Sequence, residues 1–388
     1  MQILFWSLIA LILFTYFGYP VSLLMLNKLG IGAPKVSNTI TELPTMTFVV
    51  AAYNEASCIR EKIENTLQLD YDWDKLQLVV VADGSNDHTP EIVRQYPGVT
   101  LYHQPERQGK VAAINRVMPF LDSEVIVLSD ANTLLNTEAL EEMGQVFLNE
   151  KVGAVSGEKV VISDGSDDAT ASEGLYWKYE SAIKKWDSEL NTMVGCAGEL
   201  MSFRKSLYQP IEEDTYIEDF VMSMRIAADG HKVAYCPQAK AHELPSASIG
   251  DEMKRKVRIA AGGLQAIWRL RGLLNPFRYG LLTYQYVGHR VLRWTLTPLS
   301  LPFIFMLNVA LMENSWIYGS LLYTQIAFYG IALLGSYFKQ KKLTIKGLFV
   351  PYYFTMMNYA VFLGFMRLLK GRQQVTWEKA ERRLSASV

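Results

Sequence analysis

Three acidic signals lie in one stretch of this 388-residue chain: Asp83 in VVVADGS, Asp130 in VIVLSDAN, and Glu218-Asp219 in TYIEDF. Asp83 and Asp130 each follow a run of buried-type β residues and precede turn chemistry. In an open α/β sheet that is the C-terminal end of a strand, where ligands bind. There Asp83 can accept hydrogen bonds from a nucleobase or ribose. An Asx turn in ADGSND is the competing reading, and Asp87 is the better local turn-former. Asp130 and Asn132 offer two oxygen ligands two residues apart, which can hold a hard divalent cation that bridges diphosphate oxygens. A turn explains Asp-x-Asn equally well. Glu218-Asp219 opens FVMSMRIAADG, an amphipathic helix closed by Gly230. A carboxylate there either complements the helix dipole or acts as a general base on an acceptor hydroxyl.

Cations accompany these acids. Arg107-Gln108-Gly109-Lys110 resembles the end of a phosphate loop, but His103 stands where the upstream loop glycine belongs. Lys110 at a helix start can still reach an anion. In EMKRKVRIAAGGLQAIWRL, Met253, Val257, Ala260, Leu264 and Ile267 share one helical face, and Arg255, Arg258, Gly262, Gln265 and Arg269 the other. Such a helix, over 251–278, suits a membrane interface with its cations on headgroups. Alternatively Arg255 and Arg258 clamp a diphosphate leaving group.

The elements that must position these groups read as one domain over 45–250. TMTFVVAAYNE is a strand entering a polar turn. ASCIREKIENTLQLD is a helix with Ile59, Ile63, Thr66 and Leu67 on its buried face. KLQLVVVADGSND and VTLYHQ are strands, GKVAAINRVMPFL a helix, SEVIVLSDAN a strand and TEALEEMGQVFLNE a helix. Strands alternating with helices predict an α/β fold with parallel βαβ units in a doubly wound sheet.

Apolar segments flank this domain. Residues 2–27 carry no charge, and Ile3–Leu26 is long enough to cross a ~30 Å hydrocarbon core. The absence of a basic n-region and an Ala-x-Ala site predicts an anchor over 1–28 rather than a signal peptide. Lys28 and Lys35 follow, which puts the next domain in the cytoplasm of a cell whose plasma (inner) membrane holds the chain. Further spans are expected near 291–312, 316–337 and 347–368, within a membrane region over 287–369. Lys339, Lys341, Lys342 and Lys346 mark a cytoplasmic loop. The tail, 370–388, has Lys370, Arg372, Lys379, Arg382 and Arg383, and Arg367 just precedes it; these cations argue for the inside, whereas three spans would put the tail outside. A last segment broken at Pro351 and re-entrant or interfacial would reconcile the two.

Composition narrows the classes. Net charge is −1, so no global basic excess argues for nucleic acid. Cys58, Cys196 and Cys236 are far apart and odd in number, fitting neither a zinc spacing nor a disulfide framework. Reduced, buried thiols of a cytosolic domain are expected.

Taken in order, AAYNE, ADGS, RQGK, SDAN, IEDF and RKVRI resemble the family 2 glycosyltransferases, membrane-associated enzymes of the cellulose and hyaluronan synthase type and their bacterial exopolysaccharide relatives. The resemblance covers about residues 45–270 and the flanking spans. It implies a Rossmann-like nucleotide-binding domain of the glycosyltransferase A type, a nucleotide-sugar donor (usually a uridine diphosphate sugar), Mg²⁺ or Mn²⁺, and transfer with inversion in one step. By motif, Ala52, Tyr53 and Glu55 would line the uridine pocket with Asp83. Asp130 would contact donor and metal, with Asn132 at the second Asp-x-Asp position. Asp219 would be the base, beside Glu218. Gly198 and Glu199 in GCAGELMSFRKSLY would approach the acceptor. The Gln-x-x-Arg-Trp motif falls on Arg255–Ile259, with Arg258 meeting the diphosphate.

Two departures stand out. Asn132 replaces the second aspartate, and Ile259 replaces the tryptophan on which processive synthases stack an acceptor sugar. The resemblance therefore predicts a non-processive transfer to a lipid-linked or glycan acceptor at the membrane. The alternatives are a processive exopolysaccharide synthase working with export partners, a nucleotidyltransferase, and a non-catalytic scaffold or export subunit. The glycine-rich loop of nucleotidyltransferases is absent at AAYNEAS.

Overall fold

The structure is a computed structural model and describes residues 1–32, 41–162, 168–244, 249–341 and 346–371. The described residues divide into two compact units, one of residues 1–31, 168–186, 249–341 and 346–371, the other of residues 32, 41–162 and 187–244.

The second unit is built on one sheet. Its strands are β1 (Met46–Ala52), β2 (Leu76–Asp83), β3 (Val99–Gln104), β4 (Val125–Asp130), β5 (Thr133–Leu135), β6 (Val152–Val161), β7 (Leu200–Arg204) and β8 (Lys232–Glu243). The order is β3-β2-β1-β4-β7-β6-β8-β5. β1, β2 and β4 are nearly continuous runs of buried residues, as strands covered on both faces require. β3, β2, β1 and β4 pair in parallel, as the strand–helix alternation predicts.

Beyond β4 the doubly wound expectation fails, because β7 runs antiparallel to both β4 and β6. β6 and β8 are parallel, and β5 is antiparallel to β8. Only Ala131 and Asn132 separate β4 from β5, too little chain for the crossover of a dozen or more residues that a parallel neighbour needs.

The Ile59–Leu67 helix packs Ile59 and Ile63 into the core beside Phe48, Val50 and Leu78. Leu67, expected on that buried face, is 37% exposed, and Lys62 takes the buried place with 0% exposure. Cys196 and Cys236 are buried free thiols, whereas Cys58 is only half-buried.

In the first unit, the helices Gln2–Lys28, Trp316–Lys339 and Gly347–Leu369 are long and apolar enough to cross a membrane. Leu281–Trp294 and Leu296–Leu311 form a pair bent by 51°, which raises the count of candidate spans to four if it is one span. The last helix runs from Lys346 to Leu369 without a break at Pro351, contrary to the sequence expectation. The sharp bend falls at Thr295 instead. Lys35, Lys342, Arg372, Lys379, Arg382 and Arg383 lie outside the described residues.

The Ile249–Arg269 helix is less one-sided than its sequence suggests. Val257 and Ala260, on the apolar face, are buried, and Lys256 is only 6% exposed. Its ammonium faces the rings of Tyr176, Trp177 and Tyr353 at 5.7, 5.6 and 5.5 Å. Glu252 accepts a bond from Lys339 at 3.2 Å. This helix packs closely on the last one, since a Cβ at Gly364 would lie 2.8 Å from the Ala261 nitrogen.

Candidate active site

The turns after β1 and β2 are stitched together at the sheet edge. Asn54 adopts the left-handed conformation (φ 53°), in which its amide nitrogen donates to Ser85 Oγ at 3.1 Å. Its side chain and Asn86 exchange bonds of 2.8 and 2.9 Å. The Glu55 amide donates to Thr89 Oγ1 and the Ala56 amide to Asp87 Oδ2. Asp87 also accepts from the Thr89 amide, so it is the local turn-former its position suggests. Ala52 is buried at the end of β1. Glu55 accepts from Cys58 Sγ at 3.2 Å. The Tyr53 ring stacks under the Arg107 guanidinium at 3.7 Å.

Asp83 ends β2 and is itself almost fully enclosed. Its Oδ2 accepts from the amides of Gln108 and Gly109 at 2.9 and 2.6 Å, and Arg116 reaches Oδ1 at 3.4 Å. In this state the carboxylate anchors the loop that leads into the Lys110–Val117 helix. Gly84, at φ +69°, passes so close to that loop that a Cβ would lie 2.6 Å from the Arg107 nitrogen. Both features fix where Lys110 begins its helix.

Lys110 then joins two of the three acidic signals. Its Nζ is 2.8 Å from Asp130 Oδ1, at the tip of β4, and 2.9 Å from Glu218 Oε1, in the first turn of the Glu218–Ala228 helix. Burial works against the ammonium, but Asp130 and Glu218 outweigh it and hold Lys110 above its ordinary pKa. The phosphate-loop reading gave Lys110 an anion to bind; the structure supplies two carboxylates.

Asp219 sits beside this clamp. Loss of hydration, reinforced by the charge of Glu218, pushes its carboxyl up to about 7, while Lys110 and the Phe220 amide pull the other way. A carboxylate poised near neutrality is suited to accept a proton during reaction. Gly198 backs it: a Cβ there would stand 3.2 Å from Asp219 Oδ2 and 3.8 Å from Lys110 Nζ. Lys159, 3% exposed, engages Glu199 and Glu243 together. Asp83, Lys110, Asp130, Gly198, Glu199, Glu218 and Asp219 thus gather at one sheet edge, although 136 residues separate Asp83 from Asp219 in sequence (219 − 83). Arg255 and Arg258 belong to the other unit.

Crowding at Gly198 makes a specific expectation. Gly198→Ala should push the Asp219 carboxylate aside by a few tenths of an ångström. Misplacement on the ångström scale costs up to ~10²-fold, so kcat should fall roughly tenfold. Melting temperature should hardly move, and thermal melts beside steady-state kinetics check both.

Among the described residues, no three His, Cys, Asp or Glu side chains group as a metal cage. The donor set that is present, the Asp130 carboxylate and the Asn132 amide oxygen, fits a hard divalent ion of the kind held by one or two protein oxygens together with substrate phosphates.

Sequence reasoning missed one group. Lys62 lies beneath the Asp130–Thr133 turn, its Nζ donating to Ser129 Oγ at 2.8 Å and to the Thr133 carbonyl at 2.7 Å. Spacing could have found it, since Lys62 falls between Ile59, Ile63 and Thr66 on the buried face.

Residues 47–211 match the model of the family described as Glycosyl transferase family 2. The poly-beta-1,6-N-acetyl-D-glucosamine synthase of Staphylococcus aureus (strain COL) is 26% identical over 59% of this chain and 57% of its own length. The synthase of the same name from Staphylococcus epidermidis is 25% identical over 58% and 56%. The match thus spans just over half the length of these relatives. The mannosyltransferase PcManGT of Pyrobaculum calidifontis, solved with GDP-Man and Mn²⁺, superposes with a TM-score of 0.70 at 23% identity, over 95% of this chain and 100% of that one. Its likeness establishes the glycosyltransferase A-type fold. Residues 47–211, which carry Lys110 and Asp130, thus resemble glycosyltransferase family 2, and Asp219 lies just beyond the matched stretch.

Proposed function

We propose that the chain is a membrane-embedded inverting glycosyltransferase. It moves a sugar from a nucleotide-sugar donor, of the uridine diphosphate class, to a lipid-linked or glycan acceptor at the cytoplasmic face of the plasma membrane. The observation that carries this reading is the convergence of Lys110, Asp130 and Asp219 at the strand ends of a family 2 domain.

In this reading the acceptor hydroxyl attacks the anomeric carbon. The new carbon–oxygen bond forms as the bond to the diphosphate breaks, and Asp219 takes the hydroxyl proton. Tyr53, with Ala52, Glu55 and Asp83, shapes the nucleoside end of the site. Lys110 faces the negative charge that develops on the leaving diphosphate. Gly198, Glu199 and Glu218 line the acceptor side. Asp130 and Asn132 would hold Mg²⁺ or Mn²⁺, which when bound neutralises diphosphate charge. The neighbour solved with Mn²⁺ supports use of a divalent metal.

The purified chain should release nucleoside diphosphate from one member of a nucleotide-sugar panel, and chelation of divalent metal should abolish release. Silence with every donor, with and without Mn²⁺, would overturn the reading. The names of the curated relatives favour a second reading, chain elongation with export partners. Ile259, where a stacking tryptophan is expected, favours single addition. Mass analysis of the product decides: one added sugar on a lipid excludes elongation.

A further inference from the structure

We propose that Lys62 is a positioning residue of the transfer reaction, fixing from beneath the Asp130–Asn132 turn that receives the donor diphosphate. The proposal rests on the transferase reading above.

Lys62 is fully buried, on the inner face of the Ile59–Leu67 helix. Among the described residues its ammonium has no carboxylate within ion-pair distance. Its hydrogen-bond partners are Ser129 Oγ and the Thr133 carbonyl, and the Phe48 ring lies 5.0 Å away. Those partners bracket the turn: Ser129 precedes Asp130, and Thr133 follows Asn132. Thr133 Oγ1 donates to the Asp130 carbonyl at 2.8 Å, and Ser129 Oγ donates to the Glu199 carbonyl at 2.9 Å. One turn further along the same helix, Asn65 exchanges bonds of 2.9 and 2.8 Å with the backbone of Leu135. The helix therefore grips both ends of the segment from Ser129 to Leu135.

Burying a cation against neutral oxygens is costly, and an apolar side chain of similar volume would fill the site without that cost. A residue that adds only stability is poorly explained by such a choice. A lysine one strand-end below a diphosphate site is explained, because its ammonium donors pin the backbone of the turn that must hold its position. Burial pushes the ammonium down to about 7, and Asp130 is the main group opposing this, so the two charges sense one another.

Lys62→Met in the full-length protein tests the proposal. It should melt at or above the wild-type temperature. Equilibrium binding of uridine diphosphate with Mn²⁺ should weaken about tenfold, and the donor KM should rise by a similar factor with a smaller change in kcat. Ser129→Ala leaves the lysine in place and removes one partner, so it should move binding in the same direction by a smaller factor. If Lys62→Met fails to fold, Ser129→Ala decides alone. Wild-type affinity and KM in a folded variant, or losses that simply track the folded fraction, overturn the inference. A wild-type chain that neither binds nor turns over any nucleotide sugar overturns the transferase reading itself, and this inference with it.

Discussion

Asp219→Asn is expected to lower kcat by about 10²–10⁴-fold, the usual cost of losing a general base, while donor affinity stays near the wild-type value. The asparagine keeps the shape but cannot take the hydroxyl proton. In the wild-type chain only the ionised carboxylate can do so, and its pKa is raised to about 7. Turnover should therefore rise with pH through an acid limb near 7, and the variant's residual activity should lack that limb. Stability carries the opposite sign. The folded pKa lies above the ordinary 3.8, so this group's contribution to stability is fully present below that value and is lost as pH rises through about 7. The melting temperature of Asp219→Asn minus that of the wild type should accordingly grow between pH 4 and pH 7 and then level off. Near-native turnover in the variant would remove Asp219 from the mechanism.

Lys110→Met is expected to damage activity and stability together. The lysine neutralises Asp130 and Glu218 at once, and removing it leaves two carboxylates facing each other in a half-buried site. Breaking a buried ion pair costs about 3–5 kcal/mol; here the side chains keep 13–22% of their surface exposed, so about 2–3 kcal/mol is expected. Lys110 also holds the Asp219 pKa down. In the variant the acid limb of turnover should therefore move to higher pH, a shift that a loss of folded protein cannot produce. Melts and a pH–rate profile on the same preparation separate the two effects.

Much of this site was legible in the sequence because strand ends announce themselves. A run of β-branched residues followed by an acid and turn chemistry places Asp83 and Asp130 at the same edge of a parallel sheet, and an acidic pair before an amphipathic segment places Asp219 at a helix start. Partners were harder. Nothing local reveals that Asp83 spends both oxygens on the Gln108–Gly109 amides and Arg116. Lys110 invited an anionic ligand, and its actual neighbours come from β4 and from a helix more than 100 residues away. Lys62 was invisible because EKIEN is ordinary solvated-helix composition, and only its register against Ile59 and Ile63 betrays it. Strand direction beyond β4 was lost for a similar reason. Alternation of elements reports parallel crossovers, but it says nothing once helices stop separating neighbours.

The antiparallel insertion of β7 bears on how such a catalyst can diversify. Leu200, the first residue of β7, pairs with Ser129, one residue before Asp130 at the tip of β4. The segment running up to Glu199 is thereby delivered to the tip of β4 from the opposite chain direction, where Ser129 Oγ holds the Glu199 carbonyl. If the proposed acceptor role of this segment holds, substrate choice can drift by substitutions there while β1, β2 and β4 keep their pairing. Chimeras that exchange only residues 191–198 between related chains should inherit the acceptor preference of the inserted piece and the donor preference of the host.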